Sequence, residues 1–156
     1  MALYLVRHAR AGNRRSWHLP DDLRPLTESG ASQATWIADT LEGCGIGMVL
    51  SSPSVRCVET VEPLARRLGL AVATDDALAE DARDGAVLAR LEELTEAGRP
   101  AVLCTHGNIV PVVLDHLRRG GTAFGPPPHD WKKGSIWELR THGRAVVAAA
   151  YRPPPV

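Results

Sequence analysis

Three short apolar runs in this sequence each lead into a cationic or imidazole side chain. The runs, each with the residues that follow it, are Leu3–Val6 with Arg7 and His8, Gly47–Leu50 with Arg56, and Ala101–Cys104 with His106. Short apolar runs of this length are typical of strands buried on both faces of a parallel sheet. This pattern favours an α/β fold in which each of three buried strands ends in a polar, reactive segment.

Parallel neighbours in one sheet end at the same edge, where open α/β sheets bind their ligands. We therefore expect Arg7, His8, Arg56 and His106 to converge. Guanidinium groups match phosphate oxygens in paired hydrogen bonds. Because the same short segments contain no carboxylate, the predicted pocket suits a compact anion, and phosphate is the first choice.

The remaining patterns predict the order βαβα(β)αβαββ, which indicates a three-layer αβα sandwich with a mostly parallel central sheet. Four helices are predicted. Their start signals are Thr27 as N-cap of the first, Pro53 in the first turn of the second, Asp84 as cap of the third, and Asn108 as cap of the fourth with Pro111 in its first turn. Residues 70–74 predict a short edge strand, and residues 11–24, 75–84 and 120–134 predict loops. Residues 135–140 and 144–151 predict a C-terminal antiparallel hairpin.

Four motifs, taken in order, resemble the signature of the histidine phosphatase superfamily, which shares its fold with phosphoglycerate mutase. They are Arg7-His8-Ala9, Ser51–Arg56 with Glu59-Thr60, Leu78-Ala79-Glu80, and Thr105-His106-Gly107. Ala9 stands where the superfamily most often has glycine. In this respect the sequence resembles SixA-type phosphohistidine phosphatases and related small stand-alone domains. The resemblance implies a phosphoglycerate mutase-like fold over nearly the whole chain.

The resemblance also implies roles for individual residues. His8 is the expected nucleophile, which forms a phosphohistidine intermediate, and Arg7, Arg56 and His106 are expected to bind the phosphoryl group, His106 as part of the catalytic set. Glu80 stands at the position of the acid that protonates the leaving oxygen, with Asp81 as the alternative. SixA-type phosphatases tend to lack this acid, so Glu80 favours phosphomonoester or nucleotide substrates.

Further polar residues are weaker candidates. Ser52 and Asn108 could donate hydrogen bonds to the phosphate, although helix capping explains both equally well. Arg10, Arg14 and Arg15, together with Lys132 and Lys133, could form a basic substrate rim or an ordinary solvated surface. Cys104 and His106 could be two ligands of a metal ion, but no third ligand lies at a suitable spacing. We therefore predict no metal site and no cofactor.

Composition limits the remaining function classes. The 156 residues fit one domain, residues 1–156, with 44% hydrophobic and 23% charged residues and 18 basic against 18 acidic side chains. Without a global basic field, nucleic-acid binding is not expected.

No apolar run approaches a membrane span and no signal-like segment opens the chain, so we expect a cytoplasmic protein without membrane association. Cys44, Cys57 and Cys104 lack disulfide or zinc spacing and are expected to be core residues.

The sequence thus predicts a metal-independent phosphoric monoester hydrolase acting on a phosphorylated small molecule or phosphoprotein. Two alternatives remain open at this stage: a noncatalytic phosphoanion-binding or phosphoprotein-binding module of the same fold, and a dedicated protein phosphohistidine phosphatase. Residues 131–137 also resemble the end of the histidine phosphatase domain linked to Nudix hydrolases in actinobacteria, which would favour a nucleotide-derived substrate. The sequence assigns neither an oligomeric state nor a Nudix partner protein.

Overall fold

The computed structural model describes residues 1–155, and Val156, the last residue of the predicted domain, lies outside that range. Within that range seven strands form one sheet: β1 (Ala2–Arg7), β2 (Met48–Ser51), β3 (Val72–Thr74), β4 (Ala101–Thr105), β5 (Ala123–Phe124), β6 (Ile136–His142) and β7 (Ala145–Arg152). Four helices connect them: α1 (Glu28–Leu41), α2 (Val55–Leu68), α3 (Asp84–Ala97) and α4 (Val110–Arg119). Three short 3-10 helices lie at Arg14–Ser16, Asp21–Leu23 and Asp76–Leu78.

The strand order across the sheet is β3-β2-β4-β1-β6-β7-β5. The neighbours β3, β2, β4 and β1 pair in parallel, whereas β6 pairs antiparallel with both β1 and β7. The three strands singled out in the sequence are therefore adjacent, with β4 between the other two. The predicted mostly parallel sheet with a C-terminal antiparallel hairpin is confirmed.

Alternate residues of the central strands face opposite layers of the molecule. Leu3 and Leu5 of β1 belong to an apolar cluster that includes buried residues of α3 and α4, whereas Tyr4 and Val6 belong to a cluster that includes buried residues of α1 and α2. Burial of both faces explains why these strands read as uninterrupted apolar runs. The sheet is thus the middle layer of the predicted αβα sandwich.

The predicted helices are all present, but three of the four start signals act differently. Thr27 is the N-cap of α1, and its side chain accepts a hydrogen bond from the Gly30 N–H. Pro53 lies before α2 rather than in its first turn, because Ser54 has extended backbone and is the N-cap. Asp84 is the first residue of α3, after Arg83 as N-cap. Its negative charge there interacts favourably with the positive end of the helix dipole.

Asn108 does not cap α4, whose N-cap is Ile109, because the Asn108 amide is used elsewhere: it donates to the Glu80 carbonyl oxygen at 2.8 Å. Pro111 does lie in the first turn of α4, as expected. The predicted loop over residues 120–134 contains the two-residue strand β5, which pairs in parallel with β7. Phe124 of this strand packs edge-on against Trp137, so a contact between distant residues fixes β5.

Strand register places the reactive segments at one edge. Arg7 lies opposite Thr105 in the β1–β4 pairing, and Ser51 lies opposite Cys104 in the β2–β4 pairing. The segments that follow β1, β2 and β4 therefore leave the sheet side by side, as predicted. Within the described residues, no helix is both long and apolar enough to span a membrane.

Candidate active site

His8 lies immediately beyond the last residue of β1 and is 6% exposed. Its backbone N–H donates to the Thr105 carbonyl at 3.0 Å, which extends the β1–β4 pairing past the strand end. Its ring Nδ1 lies 2.8 Å from the Ala9 carbonyl oxygen. Because a carbonyl only accepts, Nδ1 carries the proton, and Nε2 is left with the lone pair.

Burial lowers the pKa of His8 to about 3, because the charged imidazolium loses its hydration. The hydrogen bond to Ala9 acts in the opposite direction, while the positive charges of Arg56 and Arg7 lower the pKa further. His8 is therefore a neutral imidazole at physiological pH. A neutral imidazole with an unprotonated Nε2 is the form that can act as a nucleophile.

His106 lies beside His8, with the two ring centroids 5.5 Å apart in an edge-to-face arrangement. Its Nε2 is 2.8 Å from the Ser52 hydroxyl, which also accepts a longer hydrogen bond from the Ser54 N–H. The other ring nitrogen, Nδ1, lies 3.4 Å from a terminal nitrogen of Arg56, which can only donate, and 3.6 Å from a Glu80 carboxylate oxygen.

Arg56, in the first turn of α2, is 1% exposed and is held by two loop residues. One terminal nitrogen donates to the Asp21 carbonyl oxygen at 3.0 Å. The other lies 2.6 Å from a Glu80 carboxylate oxygen and 3.1 Å from an Asp21 carboxylate oxygen. The buried guanidinium therefore has carboxylates on its outer side.

Arg7 occupies the opposite side of the cluster. One of its terminal nitrogens donates to the Trp131 carbonyl oxygen at 2.9 Å, and its burial lowers its pKa from the ordinary value. The guanidinium passes directly over Gly107: a Cβ there would lie 2.6 Å from Arg7 Cζ. The absence of a side chain at residue 107 is thus what allows Arg7 its position.

Both arginines retain a buried donor. Nε of Arg7 and Nε of Arg56 are buried and have no hydrogen-bond partner among the described residues. A buried donor without an acceptor is costly unless a ligand supplies one. Two such guanidinium donors beside two imidazoles fit a tetrahedral oxyanion.

Ala9 is fully buried and connects the two reactive segments. Its N–H donates to the Thr60 hydroxyl at 2.9 Å, and that hydroxyl donates to the Arg56 carbonyl at 2.6 Å. No residue other than glycine has a positive φ within residues 1–155, so alanine at this position needs no strained backbone. The segment after β1 is therefore fastened to α2 one turn beyond Arg56.

Glu80 is held at three points. Its carboxylate lies between Arg56 and Arg14, with the second contact at 3.3 Å, and its carbonyl accepts the Asn108 amide. Arg14 also contacts Asp21 at 3.3 Å, so Arg56, Asp21, Arg14 and Glu80 form a closed ring of alternating charge. This ring joins the loop after β1 to the loop after β3.

The predicted site residues fall into two groups. His8, His106, Arg7, Arg56 and Glu80 come together, with Ser52 behind His106 and Asn108 behind Glu80. Of the predicted rim, Arg14 joins the ring. Arg10 is exposed, and the Arg15 side chain makes no hydrogen bond or ion pair with any described residue.

Lys133 belongs to the same basic surface. Partial burial lowers its pKa, and the charges of Arg7, Arg24, Arg14 and Arg10 lower it further. The opposite flank is acidic: a cavity of about 620 Å³ beside Glu80 is lined by Asp21, Asp76 and Asp81, among other residues. The site therefore lies between a basic and an acidic rim.

Asp21 was missed by the sequence interpretation, which considered only the arginines of its loop. Partial burial raises its pKa, but the hydrogen bond from Arg24 and the charges of Arg56, Arg24 and Arg14 outweigh this and lower it. A signal was available, because a buried arginine requires a counter-charge and Asp21-Asp22 are the acidic residues of this loop.

The described residues contain no group of three or more His, Cys, Asp or Glu side chains arranged to hold a metal ion. Cys57 and Cys104 are buried free thiols, as expected for core residues, and Cys44 is partly buried. Cys57 nevertheless adjoins the site, with its sulfur 3.6 Å from His106 Nε2. Burial raises the pKa of Cys57, but hydrogen bonds with Cys104 and His106 outweigh burial and lower it to about 6.

Residues 3–84 match the family model of the histidine phosphatase superfamily, branch 1. The chain belongs to this superfamily. It is 32% identical over 154 residues to the 8-oxo-(d)GTP phosphatase of Mycolicibacterium smegmatis, an alignment that covers 97% of the chain but 48% of that protein. The chain thus spans about half the length of this relative.

Solved structures of histidine phosphatases have the same fold. The protein histidine phosphatase SixA, in a complex with tungstate, superposes with a TM-score of 0.76 at 23% identity, covering 98% of this chain and 95% of that one. A mycobacterial glucosyl-3-phosphoglycerate phosphatase superposes with a TM-score of 0.66 at 20% identity, covering 97% and 96%. The predicted family and its phosphoglycerate mutase-like fold are confirmed.

The clearance between Gly107 and Arg7 generates a first prediction. In Gly107→Ala the new Cβ displaces the flexible end of Arg7 rather than backbone, so we expect phosphatase activity to fall by about tenfold to a hundredfold while the melting temperature changes little. Gly85→Ala is the matched control, since a Cβ there meets nothing within 4 Å. Steady-state kinetics and thermal denaturation of both variants test this. Equal activity in the two variants would contradict it.

The depressed pKa of His8 predicts a pH-dependent stability. His8 binds a proton near pH 6.5 in the unfolded chain but only near pH 3 in the folded chain. The contribution of neutral His8 to the free energy of unfolding is therefore complete above about pH 6.5 and is lost as the pH falls toward 3. Between pH 6 and 4, wild type should lose roughly 1.3 kcal/mol per pH unit more than His8→Gln. Urea unfolding at several pH values measures the difference. Parallel curves for the two proteins would show that His8 titrates normally when folded.

Proposed function

We propose that this chain, as a single domain, is a phosphatase that hydrolyses a phosphoric monoester through a covalent phosphohistidine on His8, without a metal ion. The observation that carries the proposal is the state of His8: a neutral imidazole whose Nδ1 is bonded to the Ala9 carbonyl and whose Nε2 has the lone pair. Membership of the histidine phosphatase superfamily supports the same assignment.

In the first step, Nε2 of His8 attacks phosphorus, so that a P–N bond forms while the P–O bond to the leaving group breaks. The unpartnered Nε donors of Arg7 and Arg56, with the His106 ring beside them, are suited to bind the non-bridging oxygens as charge redistributes over them. Ser52 contributes by holding the His106 ring, and it need not contact the phosphate for that role.

Glu80, an anion beside Arg56 and Arg14, is proposed to accept the proton of a singly protonated substrate phosphate and to pass it to the leaving oxygen as the P–O bond breaks. In the second step it takes a proton from water, whose oxygen attacks phosphorus and releases His8 and inorganic phosphate, and it then returns that proton to the solvent. The support for Glu80 over Asp81 is its place beside Arg56 and His106, at 2.6 and 3.6 Å. Asn108 supports this role by binding the Glu80 carbonyl rather than a substrate oxygen.

The proposed substrates are phosphomonoesters of small molecules, with nucleotides as the first class to test. The relative from M. smegmatis is named an 8-oxo-(d)GTP phosphatase, and Arg10, Lys132 and Lys133 are exposed cations suited to a second anionic group. A dedicated phosphohistidine phosphatase is the second candidate, favoured by the likeness in fold to SixA. Glu80 in the site supports the first, because phosphohistidine has a good leaving group and needs no acid.

The nucleophile is tested by trapping. We expect His8→Ala to lose on the order of a thousandfold in the rate of p-nitrophenyl phosphate hydrolysis, measured with chelator present, while wild type forms an acid-labile phosphohistidine at residue 8. His142→Ala, which changes an exposed histidine in the β6–β7 hairpin, is the control and should behave as wild type. Phosphate binding without turnover or trapped intermediate would instead support the noncatalytic binding module.

The acid is tested across substrates rather than with one. Glu80→Gln should slow hydrolysis of alkyl phosphates and nucleoside monophosphates by roughly a hundredfold or more but affect aryl phosphates and phosphohistidine peptides only slightly, since good leaving groups need no proton. Asp81→Asn should leave the whole series near wild-type rates. If Asp81→Asn reproduced the leaving-group pattern and Glu80→Gln did not, the acid would be Asp81.

A further inference from the structure

Asp21 contacts the guanidinium group of Arg56 at two points. Its backbone carbonyl accepts from one terminal nitrogen of the guanidinium at 3.0 Å, and its carboxylate lies 3.1 Å from the other. A two-point contact on a planar fork fixes both the position and the rotation of the group. Of the three guanidinium nitrogens, Nε is the one without a partner among the described residues.

Asp21 is itself fixed from the side away from the site. Its second carboxylate oxygen accepts from Nε of Arg24 at 3.1 Å, and Arg24, whose side chain is only 7% exposed, donates to the Gly12 carbonyl. The loop after β1 thus contains a buried arginine whose contacts hold one carboxylate in place. Arg14 contacts the same oxygen from solvent.

We infer that Asp21 is a positioning residue of this site: it orients Arg56 so that the free Nε donor is presented to the phosphoryl group. The inference rests on the proposed function, because it assigns Arg56 to phosphate. It extends that function by giving the loop after β1 a defined task in phosphoryl transfer, in addition to any contact that its arginines make with substrate.

A positioning role and a purely electrostatic one predict opposite results. A carboxylate acting through charge alone repels an anion bound to Arg56, so its removal would strengthen anion binding. A carboxylate that orients Arg56 has the reverse effect, because without it only the Asp21 carbonyl and Glu80 hold the guanidinium and its orientation is less restricted. Asp22 provides a matched control: it lines the same cavity and has the same charge, but it makes no hydrogen bond or ion pair with any described residue.

The experiment compares Asp21→Asn with Asp22→Asn in two measurements, turnover of p-nitrophenyl phosphate and binding of orthovanadate by calorimetry. We expect Asp21→Asn to lower kcat by at least about tenfold and to weaken orthovanadate binding by at least about fivefold, with Asp22→Asn within twofold of wild type in both. The isosteric amide keeps the backbone contact, and thermal denaturation should place both variants within a few degrees of wild type.

A double-mutant cycle with Arg56→Lys then shows whether Asp21 acts through Arg56. Lysine keeps the charge but cannot be held as a planar fork. In that background Asp21→Asn should change kcat and orthovanadate affinity by less than twofold. The orthovanadate measurement stays informative if the wild type proves to have no turnover, in which case the hydrolase proposal fails separately. Tighter orthovanadate binding in Asp21→Asn, equal losses in Asp22→Asn, or independent effects in the cycle would overturn the assignment.

Discussion

The parallel pairing of β1 with β4 is the constraint on which the site depends. It sets Arg7 against Thr105 and continues past the strand end, where the His8 N–H donates to the Thr105 carbonyl. Because both strands are buried on both faces, a register shift would turn their apolar side chains into the wrong layer. The core therefore fixes the relative height of His8 and His106, and the reactive rings meet without any direct bond between them.

Burial of cations at this edge creates a second requirement, which the loops meet. Arg56 is almost fully enclosed, and an uncompensated guanidinium in that environment would destabilise the fold. Asp21 and Glu80 supply negative charge from two different loops, and Arg14 bridges them on the solvent side. The outer half of the site is thus assembled by charge, whereas the inner half is assembled by apolar packing.

The sequence was sufficient for the parts of the molecule that depend on local pattern. Apolar runs identified β1, β2 and β4, helical spacing with Thr27 identified α1, and the order of motifs led to the superfamily. It was insufficient where a side chain had a distant partner. Asn108 looks like a helix cap but binds the Glu80 carbonyl, and Asp21 looks like a loop acid but holds Arg56. Neither contact leaves a periodic signal, because its partner is at least 28 residues away along the chain.

The segment that ends in Glu80 is tied to β4 and to the turn before α4 by two side chains. The Thr105 hydroxyl donates to the Leu78 carbonyl at 2.6 Å, and Asn108 binds the carbonyl two residues later. No comparable side-chain hydrogen bond holds residues 81–83 among those described. Insertions or deletions after Glu80 can therefore remodel the cavity beside it while the carboxylate keeps its place. In proteins built this way, substrate range can diverge through changes in the segment after Glu80 that leave the residues of the site unchanged.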